Sequence, residues 1–126
     1  MKCGRIERDG GAAIPRVWLA DHWWLRMRGL LGRPPLAADG TEGLLIEPCA
    51  SVHTAGMRYP LDLVFLARDG RVLGMREGLR PWRAAACMRA AATVEFHAGA
   101  LARLQPRPGE NWRWQAAAPQ LSGARP

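Results

Sequence analysis

The sequence predicts an α+β domain made mainly of strands: a compact antiparallel sheet or barrel-like fold with one or two short helices. Three observations predict it. Leu61-Asp62-Leu63-Val64-Phe65-Leu66-Ala67 is short and nearly all apolar, the pattern of a strand covered on both faces, and it is expected to be the central strand. Asp69-Gly70 follows within two residues, a pair suited to a type I′ turn, and Arg71 to Arg76 then supplies a strand to pair antiparallel with the first. The 14 glycines and 10 prolines among 126 residues interrupt the chain too often for long helices.

Length and composition set the outer limits. A chain of 126 residues is one ordinary domain, able to bury roughly two-thirds of its unfolded surface without a metal or disulfide. Hydrophobic residues at 48% against 23% charged are those of a globular protein. Lys2 is the single lysine among 18 basic residues, and the formal net charge is +7. The arginines are scattered from Arg5 to Arg125 with no basic run and no aromatic-basic repeat, so specific nucleic-acid binding is not expected. An unknown protein or a small anionic ligand is the expected partner of a monomer. The start, MKCGRIERDGG, has no apolar h-region, and no 18-residue apolar run occurs, so a reduced cytoplasmic protein without membrane insertion is expected. Cys3, Cys49 and Cys87 are an odd number, and a Cys49–Cys87 bridge stays open to a structural test.

Taken in order, Met1 to Gly11 is an edge strand or a loose terminus, and Ile14 to Ala20 is a strand whose Pro15 is tolerable near its start. Asp21 can cap a helix over residues 22–31, where Trp23, Trp24, Met27, Leu30 and Leu31 share one stripe; Gly32 and Pro34-Pro35 end it. Leu36 to Thr41 is a loop, Leu44 to Ile46 a short buried strand, and Cys49 to Tyr59 a strand or a crossing loop. Pro81 and Trp82 suggest a turn with an aromatic plug. The alanines of 84–91 favour helix, Ala92 to Phe96 reads as a strand, and Ala100 to Leu104 allows about one and a half helical turns. Asn111 to Gln115 alternates as a last strand, with Trp112 and Trp114 on one face. A single domain over 1–118 and a disordered tail over 119–126 are expected.

Candidate chemistry concentrates in His53, Thr54, Met57, Arg58 and Asp62, ten residues leading onto the apolar strand. His53 and Asp62 can form an acid–base pair in which the carboxylate fixes the imidazole tautomer, with Ser51 or Thr54 as nucleophile, although no G-x-S-x-G elbow surrounds either. The plainer alternative is that Thr54 and Asp62 satisfy backbone groups near a turn. Asp62, flanked by Leu61 and Leu63, needs a partner if buried, and Arg58 and Arg28 are the partners its charge suggests. Cys49-x-x-x-His53 is too extended to gather on one zinc ion without a tight turn, so no metal is expected. The absence of a phosphate loop or dinucleotide fingerprint disfavours nucleotide-dependent enzymes, and no cofactor is expected.

Several pieces together resemble a known family: Arg28-Gly29-Leu30-Leu31-Gly32-Arg33, Gly43 to Ile46, Val52-His53-Thr54-Ala55-Gly56-Met57-Arg58, Pro60-Leu61-Asp62, Asp69-Gly70-Arg71-Val72, Pro81-Trp82-Arg83, and Glu95 with Gly99. The pattern is similar to the domain of unknown function 192, small domains of bacteria and archaea. The resemblance implies a mainly antiparallel fold with short helices and implies no activity. Two readings follow for function. One is a non-catalytic binding or assembly module with a polar site around His53 and Asp62. The other is a small hydrolase-like enzyme using those two residues.

Overall fold

The structure, a computed structural model, describes residues 1–22 and 28–117. Residues 23–27 of the helix expected over 22–31 lie outside that set, and the tail expected over 119–126 lies wholly outside it. The described part of that stretch does not run helical to Leu31, since Gly29 takes φ 53° and the chain turns from there, with Leu31 N–H donating to Arg28 O at 3.0 Å.

Nine strands and one helix are described: β1 (Lys2–Arg8), β2 (Ile14–Ala20), β3 (Glu42–Ile46), β4 (Ser51–His53), β5 (Leu61–Leu66), β6 (Val72–Leu79), β7 (Ala84–Ala86), β8 (Ala92–His97), α1 (Ala100–Leu104) and β9 (Trp112–Ala116). Seven strands form one sheet in the order β6-β5-β8-β3-β2-β1-β9, and β4 and β7 form a second, two-stranded sheet. β2 and β3 run parallel, a pairing that needs a long crossover, which residues 21–41 provide. The other strand pairs run antiparallel.

The large sheet curls into a half-barrel because its two outer strands approach at one end. Arg71 bridges Asn111, Val72 N–H donates to Glu110 O at 2.8 Å, and Trp112 N–H donates to Gly70 O at 2.9 Å. Each face then has its own core. Ile6, Val17, Leu45, Val64, Val94, Phe96 and Trp112 belong to one; Ala20, Leu30, Leu44, Ile46, Leu61, Leu63 and Phe65 belong to the other. This explains why all six residues of β5 are buried although alternate side chains point opposite ways. β5 is second from an edge rather than central, because β8 inserts between it and β3.

Three local expectations change. The hairpin after β5 is not type I′: Asp69 keeps negative φ, Gly70 N–H donates to Ala67 O at 2.9 Å, and Gly70 alone takes φ 90°. That is a type I turn closed by a left-handed glycine, with the Asp69 carboxylate accepting from Arg71 N–H at 3.0 Å. The alanines of 84–86 form β7, since pairing with β4 overrides their helix propensity. Trp82 is no plug: it is 70% exposed. Trp112 and Trp114 do share a face, against one core: Trp112 meets Phe96 edge-on at 6.2 Å, and Trp114 Nε1–H donates to Val17 O at 2.9 Å.

Candidate functional site

The residues expected to form one site are divided between two faces of the large sheet. Asp62 shares its face of β5 with Val64 and Leu66, and it is 2% exposed. Its partners are backbone groups and not Arg58 or Arg28: Gly78 N–H donates to Oδ1 at 2.8 Å, and Gly99 and Leu101 N–H donate to Oδ2 at 3.0 Å each. Gly99 precedes α1 and has no side chain with which to cap it, so Asp62 supplies the cap from a neighbouring strand. Three backbone donors satisfy a buried carboxylate without a counter-charge.

Thr54 is also wholly buried and committed to backbone. Its hydroxyl donates to Arg80 O at 2.5 Å and accepts from Arg83 N–H at 2.9 Å, and its carbonyl accepts from Trp82 N–H at 3.1 Å. A hydroxyl engaged in this way is no nucleophile. Arg58 is exposed and, together with Arg33, Met57 and Tyr59, lines an open groove of about 560 Å³.

His53 and Met57 remain together, on the other face. They line a small cavity of about 70 Å³ with Arg28, Cys49, Ser51 and Glu95. Glu95 is the residue that sequence reasoning left outside the site. Opposite Leu63 on β5 and Leu44 on β3, it points into the second core and is 4% exposed. Its carboxylate has no hydrogen bond or ion pair among the described residues. Burial pushes its pKa up to about 8, so at neutral pH it is largely a neutral acid, a hydrogen-bond donor at the cavity floor. Gly29, at φ 53°, lies over it: a side chain there would start 3.5 Å from Oε1.

Beside Glu95 stands a second incompletely satisfied group. The Tyr59 hydroxyl is buried with no hydrogen-bond partner among the described residues, while its ring stacks on His97 at 4.7 Å. Burial raises the Tyr59 pKa, and the charge of Glu95 adds to the rise. No group of three or more His, Cys, Asp and Glu among the described residues could hold a metal. The three cysteines are free thiols, and Cys49 Sγ–H donates to Ser51 O at 3.0 Å. No described helix is long and apolar enough to cross a membrane.

The DUF192 family model, described as "Uncharacterized ACR", matches residues 5–114. The chain belongs to the DUF192 family. Nothing matches among curated proteins. Two solved structures are similar to this DUF192 chain. One is a protein of Sinorhizobium meliloti 1021 provisionally described as a transcription regulator, at TM-score 0.75 and 24% identity over 90% of this chain and 92% of that one. The other is a protein of unknown function from Novosphingobium aromaticivorans DSM 12444, at TM-score 0.72 and 26% identity over 89% and 84%. The likeness shows that the curled sheet is shared with both; it assigns no chemistry to the DUF192 cavity.

Proposed function

We propose that this DUF192 protein is a binding module whose cavity over Glu95 receives a small acceptor group, such as a carboxylate or carbonyl oxygen, of a ligand or partner. The observation that carries this reading is a buried carboxyl group facing a cavity with no hydrogen-bond partner among the described residues, since such a group costs stability unless a visitor satisfies it. The neutral acid donates, Arg28 supplies positive charge, and His53 and Met57 form the wall. Asp62 and Thr54 serve the site by fixing the strands and turns around it, and Arg58 lies in the neighbouring groove. An enzyme built on His53 and Asp62 draws no support from this arrangement, because the two side chains belong to opposite faces.

Titration with formate and acetate, followed by backbone chemical shifts, tests the reading. Saturable shifts at Gly29, His53 and Met57 are expected well below pH 8, weakening well above it as Glu95 ionises, and absent in Glu95→Ala. Shifts that survive Glu95→Ala unchanged overturn it.

A further inference from the structure

The two-stranded sheet carries a feature that the cavity does not use. Trp82 is 70% exposed, yet its backbone is held at φ 62°, a left-handed conformation that bulky residues rarely adopt. Strain of this kind persists where the surroundings over-determine it, and here Thr54 does so. The buried threonine bonds the backbone of Arg80, Trp82 and Arg83 at once. The result is an indole presented to solvent from a fixed backbone position.

The chain segments that carry it have one sign of charge. Residues 48–60 and 78–91, which build β4, β7 and their flanks, contain Arg58, Arg80, Arg83 and Arg89 and not one Asp or Glu. All four guanidinium side chains are on exposed residues. Arg80 and Arg83 flank Trp82 directly in the chain, whereas Arg89 lies with Met88 beyond the far end of β7.

We infer that this face binds single-stranded nucleic acid without sequence preference, with Trp82 stacking on one base and Arg80 and Arg83 engaging the flanking phosphates. An exposed ring on a fixed backbone suits stacking, which every base can offer, and the guanidinium fork matches phosphate oxygens. An acidic peptide would use the charges and leave the ring idle. A membrane surface would call for several adjoining apolar side chains, whereas the other large one here, Met88 at 93% exposed, lies beyond the far end of β7.

The test is fluorescence anisotropy of a labelled oligothymidine of about 12 nucleotides with the full chain at low salt. Saturable binding that weakens as salt rises is expected. Trp82→Ala should weaken it about tenfold or more, and Trp82→Phe should recover part of the loss. Arg80→Ala and Arg83→Ala should each lower the salt slope by about one. Circular dichroism of the variants checks that the exposed substitutions leave the fold intact. Absence of wild-type binding at low salt overturns the inference, as does undiminished binding by folded Trp82→Ala. So does a preference for phosphatidylserine vesicles over the oligonucleotide that is lost with Trp82.

Discussion

Glu95 and Glu110 are both buried carboxyl groups, and their surroundings give them opposite pH responses. Desolvation alone would raise Glu110, but hydrogen bonds from Arg8, Trp112 and the Arg107 N–H bring it below its ordinary range. Its contribution to stability is therefore present above the unfolded pKa and lost as pH falls through the folded one. Glu95 reverses the sign. Its folded pKa of about 8 exceeds the ordinary 4.5, so the native state holds a proton that the unfolded state has released, and stability falls as pH climbs between those values. Thermal melts across that range should show the decline in the wild type and a flatter profile in Glu95→Gln, which cannot ionise. A second substitution follows from backbone geometry. Trp82→Gly should raise stability by about 1 kcal/mol, because glycine takes positive φ without steric cost and the lost ring was mostly in water. Equilibrium urea unfolding measures it. The sequence showed Asp62 as a carboxylate in an apolar strand; Val94-Glu95-Phe96 carries the same signal, and applying that test to it would have found the cavity floor. The opposite facing of Asp62 and His53 was not legible, since it depends on β4 leaving the large sheet to pair with β7.

At the scale of elements, α1 has five residues and cannot stand alone, so its position depends on what holds its first turn. Asp62 does this while also binding the backbone of Gly78 in β6, joining two strands and the helix through one side chain. Asp62→Ala strands three backbone donors and should cost about 3 kcal/mol or more, with Asp62→Asn intermediate because one acceptor oxygen survives. His53→Ala, at an exposed position, should stay within about 0.5 kcal/mol of wild type. Chemical denaturation of the three variants checks the order; equal losses for His53→Ala and Asp62→Ala would contradict the division of the two residues between faces. The β5–β6 hairpin was legible because an apolar run and Asp69-Gly70 are local signals. β7 was not, because three alanines carry no strand signature and acquire one only from β4.

For the molecule as a whole, closure of the half-barrel rests on a few contacts between its outer strands. Gly70 is the tightest of them: a Cβ there would lie 2.3 Å from Trp112 O, and its φ of 90° suits glycine alone. Gly70→Ala should therefore open that end and cost more than about 2 kcal/mol, read as a lower melting temperature and faster amide exchange at Val72 and Trp112. Arg8 and Glu110 brace the same region by a buried 2.6 Å ion pair, with Arg8 also donating to Leu104 O at 2.9 Å.

The pairing of β1 with β9 sets residues from the two ends of the described chain side by side, Gly4 opposite Ala116. Arg8 and Glu110, joined across it, are 102 positions apart in sequence. A circular permutant that links the ends beyond β1 and β9 by a short loop would turn the fold's most distant strand pairing into a local hairpin. Because closing long loops slows folding more than it weakens the product, such a permutant should refold faster than the wild type at nearly the same stability. Stopped-flow refolding beside equilibrium melts would register both.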